Sequence, residues 1–267
     1  MMNTPTPQSS VIATSGTGTG TGTSRWTPVP STLPTVRKPV LEEAWSNAQE
    51  VIDLLHYDSR LDGSLEDRRF RRRRVKAGQS AFRMGQTFDG LYVVRLGSIK
   101  STVTHDDGNE HVLSFSMKGD LLGFDGVCRN QYASEAVALT DCDLIRLPAN
   151  EMFNPGRSSN DIERMAYWAI SREIVKEQAA YASSHAAKSE ARVARFIRLQ
   201  SERFAAMGYS PRAFTLPMTR RDIGSYLSVT LETVSRALSA LHQMGIIEVA
   251  KRDITILSPQ ALRDFEG

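Results

Sequence analysis

The chain has 267 residues, enough for one large domain or two of ordinary size, each with its own core. With 40% hydrophobic and 24% charged residues it is globular in composition, and no apolar run approaches a membrane span. The net charge is +3, but residues 188–267 hold 12 basic against 8 acidic side chains, so the positive excess sits in the last third, where it suits a nucleic-acid partner. The start of the chain lacks a basic stretch followed by an apolar one, so a cytoplasmic location with no membrane partner is expected. Cys128 and Cys142 are too few for a four-thiolate metal or cluster site within one chain. They read as two reduced thiols, with a redox switch as the alternative.

Residues 1–40 are rich in Thr, Ser, Gly and Pro, with the run Gly16-Thr17-Gly18-Thr19-Gly20-Thr21-Gly22. Such a segment has too little apolar surface to offset its ordering entropy, so a disordered tail is expected. Leu41, Trp45, Ala48, Ile52 and Leu55 recur at three- and four-residue steps and predict a helix over 41–56. From about residue 68 to 148 short apolar runs alternate with glycines, and Asp106-Asp107-Gly108-Asn109 is a strong hairpin turn. This pattern predicts a β-roll or barrel. It opens on Arg68-Arg69-Phe70-Arg71-Arg72-Arg73-Arg74, read as an exposed edge strand guarded by charge, with a nucleic-acid patch as the alternative.

A long helix is predicted over 160–184. Its apolar stripe comprises Ile162, Met165, Ala166, Ala169, Ile170, Ile174, Ala180 and Tyr181. A long helix between two domains, with small residues on its stripe, reads as a dimerisation helix; packing on its own domain is the alternative. A further helix follows over 188–207, ended by Gly208, and then a loop over 208–217.

The decisive stretch begins at Thr219, with Asp222 at capping-box spacing and Ile223, Tyr226 and Leu227 as the apolar face of a first helix. Ser228-Val229 is a tight turn. A second helix runs from Thr230 or Leu231 to Met244, where Gly245 ends it. Val234, Leu238 and Leu241 face the core, while Glu232, Ser235, Arg236 and Ser239 project outward. That is the geometry of a recognition helix in a major groove. Arginine donates twice to guanine, glutamate accepts from cytosine, and serine adapts. A bare carboxylate among phosphates would repel them, so Glu232 is best explained by a base partner. Residues 246–249 and 254–257 read as two strands, making a wing with Lys251 and Arg252 at its tip. The residues expected to contact phosphates are Thr219, Arg220, Arg221, Thr230, Thr233, Lys251 and Arg252.

Asp222-Ile223-Gly224-Ser225-Tyr226-Leu227 followed by Glu232-Thr233-Val234-Ser235-Arg236-Ala237-Leu238 closely resembles the helix-turn-helix of the Crp–Fnr family, in its Fnr and FixK version. Upstream, residues 91–100 and Lys118-Gly119-Asp120-Leu121-Leu122-Gly123-Phe124-Asp125 resemble that family's β-roll, so the likeness spans roughly residues 66–267. It implies a homodimer that binds a palindrome of TTGAT type, with Glu232, Ser235 and Arg236 reading bases. It also implies RNA polymerase contacts at 205–214 and 118–126, and an acidic residue, Glu177, that tunes dimerisation.

The departures are informative. Oxygen-sensing relatives hold an iron–sulfur cluster on an N-terminal cysteine group plus one roll cysteine. This chain has no cysteine before Cys128, and Ile145 stands at the roll position, so a cluster is disfavoured. Cyclic-AMP binders carry a phosphate-binding arginine that Tyr132-Ala133-Ser134 lacks, and a buried phosphate without its cation would be costly. The five histidines show no spacing that identifies a haem site, so haem stays open and no cofactor is identified.

The expected fold is α+β: a disordered tail over 1–40, a β-roll sensor domain over 41–157, a dimerisation helix over 158–187 and a winged helix-turn-helix over 188–267. The expected function is a DNA-binding transcription regulator, read as an activator. The alternative is a sensor whose roll binds a small molecule or haem to switch DNA binding. An enzyme is not expected, since no metal-ligand cluster, nucleophile triad or phosphate-cradling loop is present.

Overall fold

A computed structural model of the chain describes residues 44–57, 68–105, 108–152, 160–184 and 188–265. The tail over 1–40, Leu41 and turn residues Asp106 and Asp107 lie outside the described residues, as do the side chains of Ala180 and Tyr181.

The first half is a β-roll of two antiparallel sheets. The first sheet contains β1 (Trp45–Asn47), β2 (Arg69–Val75), β4 (Gly90–Leu96), β7 (Leu121–Leu122) and β9 (Cys142–Pro148), in the order β1-β2-β9-β4-β7. The second contains β3 (Ser80–Phe82), β5 (Ile99–Thr104), β6 (Glu110–Ser116) and β8 (Glu135–Ala138), in the order β3-β8-β5-β6. Strand β4 is buried along its first five residues because it is covered on both faces and paired on both sides. It starts at Gly90, where a Cβ would lie 2.2 Å from the Leu147 carbonyl oxygen, so only glycine lets β9 pass.

The predicted first helix is shorter than its periodicity implied. Trp45–Asn47 pair with Arg69–Arg71, so the chain enters as a strand and Trp45 stays exposed. Helix α1 (Ala48–Leu55) starts only where Asn47 Oδ1 accepts from the Glu50 amide at 2.8 Å. The arginine-rich strand is not the edge expected of it. β1 pairs along its first half and β9 along its second, and the Arg72 guanidinium meets buried Asp143 at 3.2 Å.

A short helix, α2 (Ala149–Met152), precedes the long α3 (Asn160–Ser184). The expected partner-facing stripe is corrected here. Ile162, Ala166 and Ala169 are wholly buried in the roll's own core, and Ile170 packs against it. Periodicity identified the buried face, but the nearest apolar surface was the chain's own. Among the described residues, the large apolar side chains that α3 leaves exposed are Tyr167, Ile174 and Val175.

The C-terminal half has a separate core. Helix α4 (Ser189–Ala206) packs on α6 (Leu231–Gln243), and α5 (Arg220–Leu227) closes the helix-turn-helix. The wing is β11 (Ile247–Ala250) and β12 (Asp253–Ile256). The loop expected over 208–217 contains a third strand, β10 (Ala213–Thr215), which takes the free side of β12. A last helix, α7 (Pro259–Asp264), is capped by Ser258. The described residues form one compact unit. Among the described residues, no helix is long and apolar enough to cross a membrane.

Candidate nucleic-acid interface

Helix α5 begins with a full capping box. Thr219 Oγ1 accepts from the Asp222 amide at 3.1 Å, and Asp222 Oδ2 accepts from the Thr219 amide at 2.9 Å. The turn after α5 is tight: Ser228 is left-handed, and the Val229 amide donates to the Gly224 carbonyl at 2.9 Å. A Cβ at Gly224 would stand 2.7 Å from the Val229 carbonyl oxygen, against backbone that cannot yield. Gly224→Ala is therefore expected to lower stability by about 1–3 kcal/mol, read from the urea midpoint. An unchanged midpoint would show that the turn is not sterically closed.

Thr230 caps α6, accepting from the Thr233 amide at 3.1 Å. Val234, Ala237, Leu238 and Leu241 are buried, which turns Glu232, Arg236 and Ser239 outward and leaves Ser235 half-buried. Arg220 Nη1 reaches Ser235 Oγ at 3.3 Å, so a residue expected at the phosphates touches one expected at the bases. Glu232 is held below the usual carboxylate range by its own amide, the Thr230 hydroxyl and Arg236 one turn on. It is thus an ionised acceptor beside a cationic donor.

The wing tip turns at left-handed Lys251, and Arg252 Nη1 donates to the Pro217 carbonyl at 3.1 Å. Thr219, Arg220, Lys251 and Arg252 line one hollow of about 250 Å³ between α5 and the wing. Arg221 and Thr230 are exposed and Thr233 is half-buried. The expected polar residues therefore share one surface: an outward helix face, two helix N-termini and a basic wing. Two contacts between α5 and the roll were not legible in the sequence. Asp222 takes Lys100 of the roll, and Ser225 accepts from the Val112 amide.

Residues 191–265 match the Crp-like helix-turn-helix domain, and residues 72–154 match the cyclic nucleotide-binding domain. The chain is 34% identical to the transcriptional regulatory protein btr of Bordetella pertussis, over 73% of this chain and 80% of that one. It is also 34% identical to the fumarate and nitrate reduction regulatory protein of Escherichia coli K12, over 79% of this chain and 83% of that one. The structure of FixK2 from Bradyrhizobium japonicum superposes with a TM-score of 0.65 at 25% identity, over 73% of this chain and 96% of that one. The chain belongs to the Crp–Fnr family. It is a DNA-binding transcription regulator that works through its helix-turn-helix, and it is not an enzyme.

The roll of this Crp–Fnr regulator has an aromatic interior. Tyr132 is buried and stacks on Phe82 with ring centroids 3.9 Å apart. Its hydroxyl lies 2.6 Å from Asp89 Oδ1 and 2.7 Å from the Gly90 carbonyl, and burial together with Asp89 pushes its ionisation far up. A Cβ at Gly123 would fall 2.8 Å from that ring. The turn at Gly123 thus packs on the chain's own aromatic ring. Cys142 is buried, with Sγ 3.3 Å from the Ser98 carbonyl, and burial pushes its thiol up; Cys128 is exposed.

Proposed function

We propose that this regulator binds a TTGAT–ATCAA palindrome as a homodimer and activates transcription without an iron–sulfur cluster or cyclic nucleotide. One observation carries the reading: Glu232, Ser235 and Arg236 lie together on the outer side of α6, beside two capped helix N-termini. The one G·C pair of each half-site offers guanine to Arg236 and the cytosine amino group to Glu232. Tyr132 in place of a phosphate-binding cation and the buried, un-ionised Cys142 support function without cyclic nucleotide or cluster. Cofactor-free DNA binding in the cytoplasm is the resulting picture. RNA polymerase would meet the exposed Tyr209 loop and the segment around Lys118. Footprinting tests the palindrome: both half-sites should be protected together, and protection that ignores them would sink the reading.

Tyr167, Ile174 and Val175 are the α3 side chains that support pairing with a second copy. Glu177 stands on the same helix, its carboxyl pushed up by partial burial and by the like charges of Glu173 and Asp125. Glu177→Ala is expected to tighten the dimer several-fold in sedimentation equilibrium. An unchanged dissociation constant would remove Glu177 from dimer control.

A second reading, with a small-molecule or haem effector, rests on a cleft of about 1570 Å³ between the roll, α3 and α4, lined by Phe115, Trp168, Arg172, Arg192 and Tyr226 among others. A saturable rise in Tm with haem would favour it.

A further inference from the structure

The hairpin of β5 and β6 belongs to the roll by pairing but to the DNA-binding domain by packing. Val112 and Phe115 are 2% and 6% exposed, and both are buried in the helix-turn-helix core. Phe115 meets Tyr226 of α5 at 5.3 Å and Phe196 of α4 at 6.0 Å between ring centroids. The polar contacts run the same way. Lys100 Nζ lies 2.5 Å from Glu110 Oε1 within the hairpin and 3.0 Å from Asp222 Oδ1 on α5. One turn along α5, Ser225 Oγ accepts from the Val112 amide at 2.9 Å.

Asp222 is thereby used twice. Oδ2 closes the capping box at the α5 N-terminus, and Oδ1 binds the roll. Two residues before Asp222, Arg220 reaches Ser235 on the reading helix. The first turn of α5 is therefore tied both to a roll lysine and to the DNA-facing surface. Lys100 is well shielded, so its two carboxylate partners are strong ones, and their hydrogen bonds outweigh burial and keep it charged.

We propose that the β5–β6 hairpin, through Lys100, is the seat that positions the helix-turn-helix for DNA, making Lys100 a positioning residue for a surface it does not belong to. The inference rests on the DNA-reading surface described above and adds the roll element that orients it. Removing the ammonium leaves Asp222 and Glu110 as two facing carboxylates with no cation between them, on the helix whose N-terminus approaches phosphates.

The test uses the full chain with Lys100→Met and, as conservative rescue, Lys100→Arg. Two quantities are measured: affinity for a duplex carrying the palindrome at fixed salt, and hydrogen-exchange protection of the Val112 amide against that of Val93 in β4. Lys100→Met is expected to lose at least tenfold in affinity and at least tenfold in Val112 protection, with Val93 unchanged and Lys100→Arg restoring both. Wild-type affinity in Lys100→Met would overturn the proposal. So would an affinity loss with Val112 still protected, which would make Lys100 a plain phosphate contact, or a joint loss at Val112 and Val93, which would make it a general stabiliser. If the wild type itself ignored the palindrome, the proposed site would fall instead, and the exchange comparison alone would decide whether Lys100 seats the domain.

Discussion

Arg236→Ala is expected to weaken binding to the palindrome by about 1–3 kcal/mol, or roughly 5- to 150-fold, while leaving binding to unrelated DNA nearly unchanged. Arg236 lies outside the core, on the side of α6 opposite Val234 and Leu238, so its loss removes base contact without opening a cavity. Glu232→Ala should cost a similar amount at the same base pair. The two are one helical turn apart, and Arg236 helps hold Glu232 ionised, so their losses should not add. Anisotropy with matched and scrambled duplexes measures both. A loss equal on both duplexes would mean that Arg236 touches phosphate and that another residue reads the site.

The second large effect is expected far from the DNA. Asp120, in the turn between β6 and β7, joins three elements. Its Oδ1 lies 2.7 Å from Lys176 Nζ on α3, its Oδ2 is bonded by Arg203 on α4, and the Met117 amide donates to it at 2.8 Å. Arg203 also donates to the Phe115 carbonyl at 2.8 Å, so this cluster supports the same hairpin that seats α5. Breaking a fully buried pair costs about 3–5 kcal/mol, but Lys176 and Arg203 are 46% and 32% exposed and water screens them. Asp120→Asn should therefore lower stability by about 2–3 kcal/mol at neutral pH.

Burial pushes the Asp120 carboxyl up, but Arg203, Lys176 and the Met117 amide outweigh it and hold the folded value below the ordinary one. The group then contributes stability above its unfolded pKa of about 3.9, and that contribution fades as the pH falls through the folded value. The difference in urea midpoint between wild type and Asp120→Asn should accordingly be constant near neutrality and shrink in acid below about pH 4. A difference that stayed constant into acid would mean that Asp120 acts by shape and not by charge.

The helix-turn-helix was legible because its signals are local. A capping box four residues long, a tight turn and core positions at steps of three and four all act between near neighbours in the chain. The arginine-rich strand carries the exposed charges expected of it but is paired on both halves, and the α3 stripe is buried but not by a second copy. A sequence pattern says which side chains are exposed or buried, not what pairs with or covers them, and both segments found partners in their own roll. The strands Trp45–Asn47 and Ala213–Thr215 carry too few residues to show alternation; each exists because a longer strand offers a free edge. Lys100 and Asp222 are 122 residues apart, and no local pattern connects a lysine in a hairpin with a helix cap. The contact exists only once Val112 and Phe115 have left the roll's core for that of the other domain.

The central claim is sequence-specific DNA binding by the protein alone. Anisotropy of a TTGAT–ATCAA duplex, titrated with metal-free and ligand-free protein at one salt concentration, tests it most directly. Binding at least about 10³-fold tighter than to a duplex with both half-sites scrambled is expected. Equal affinity for the two duplexes would contradict it.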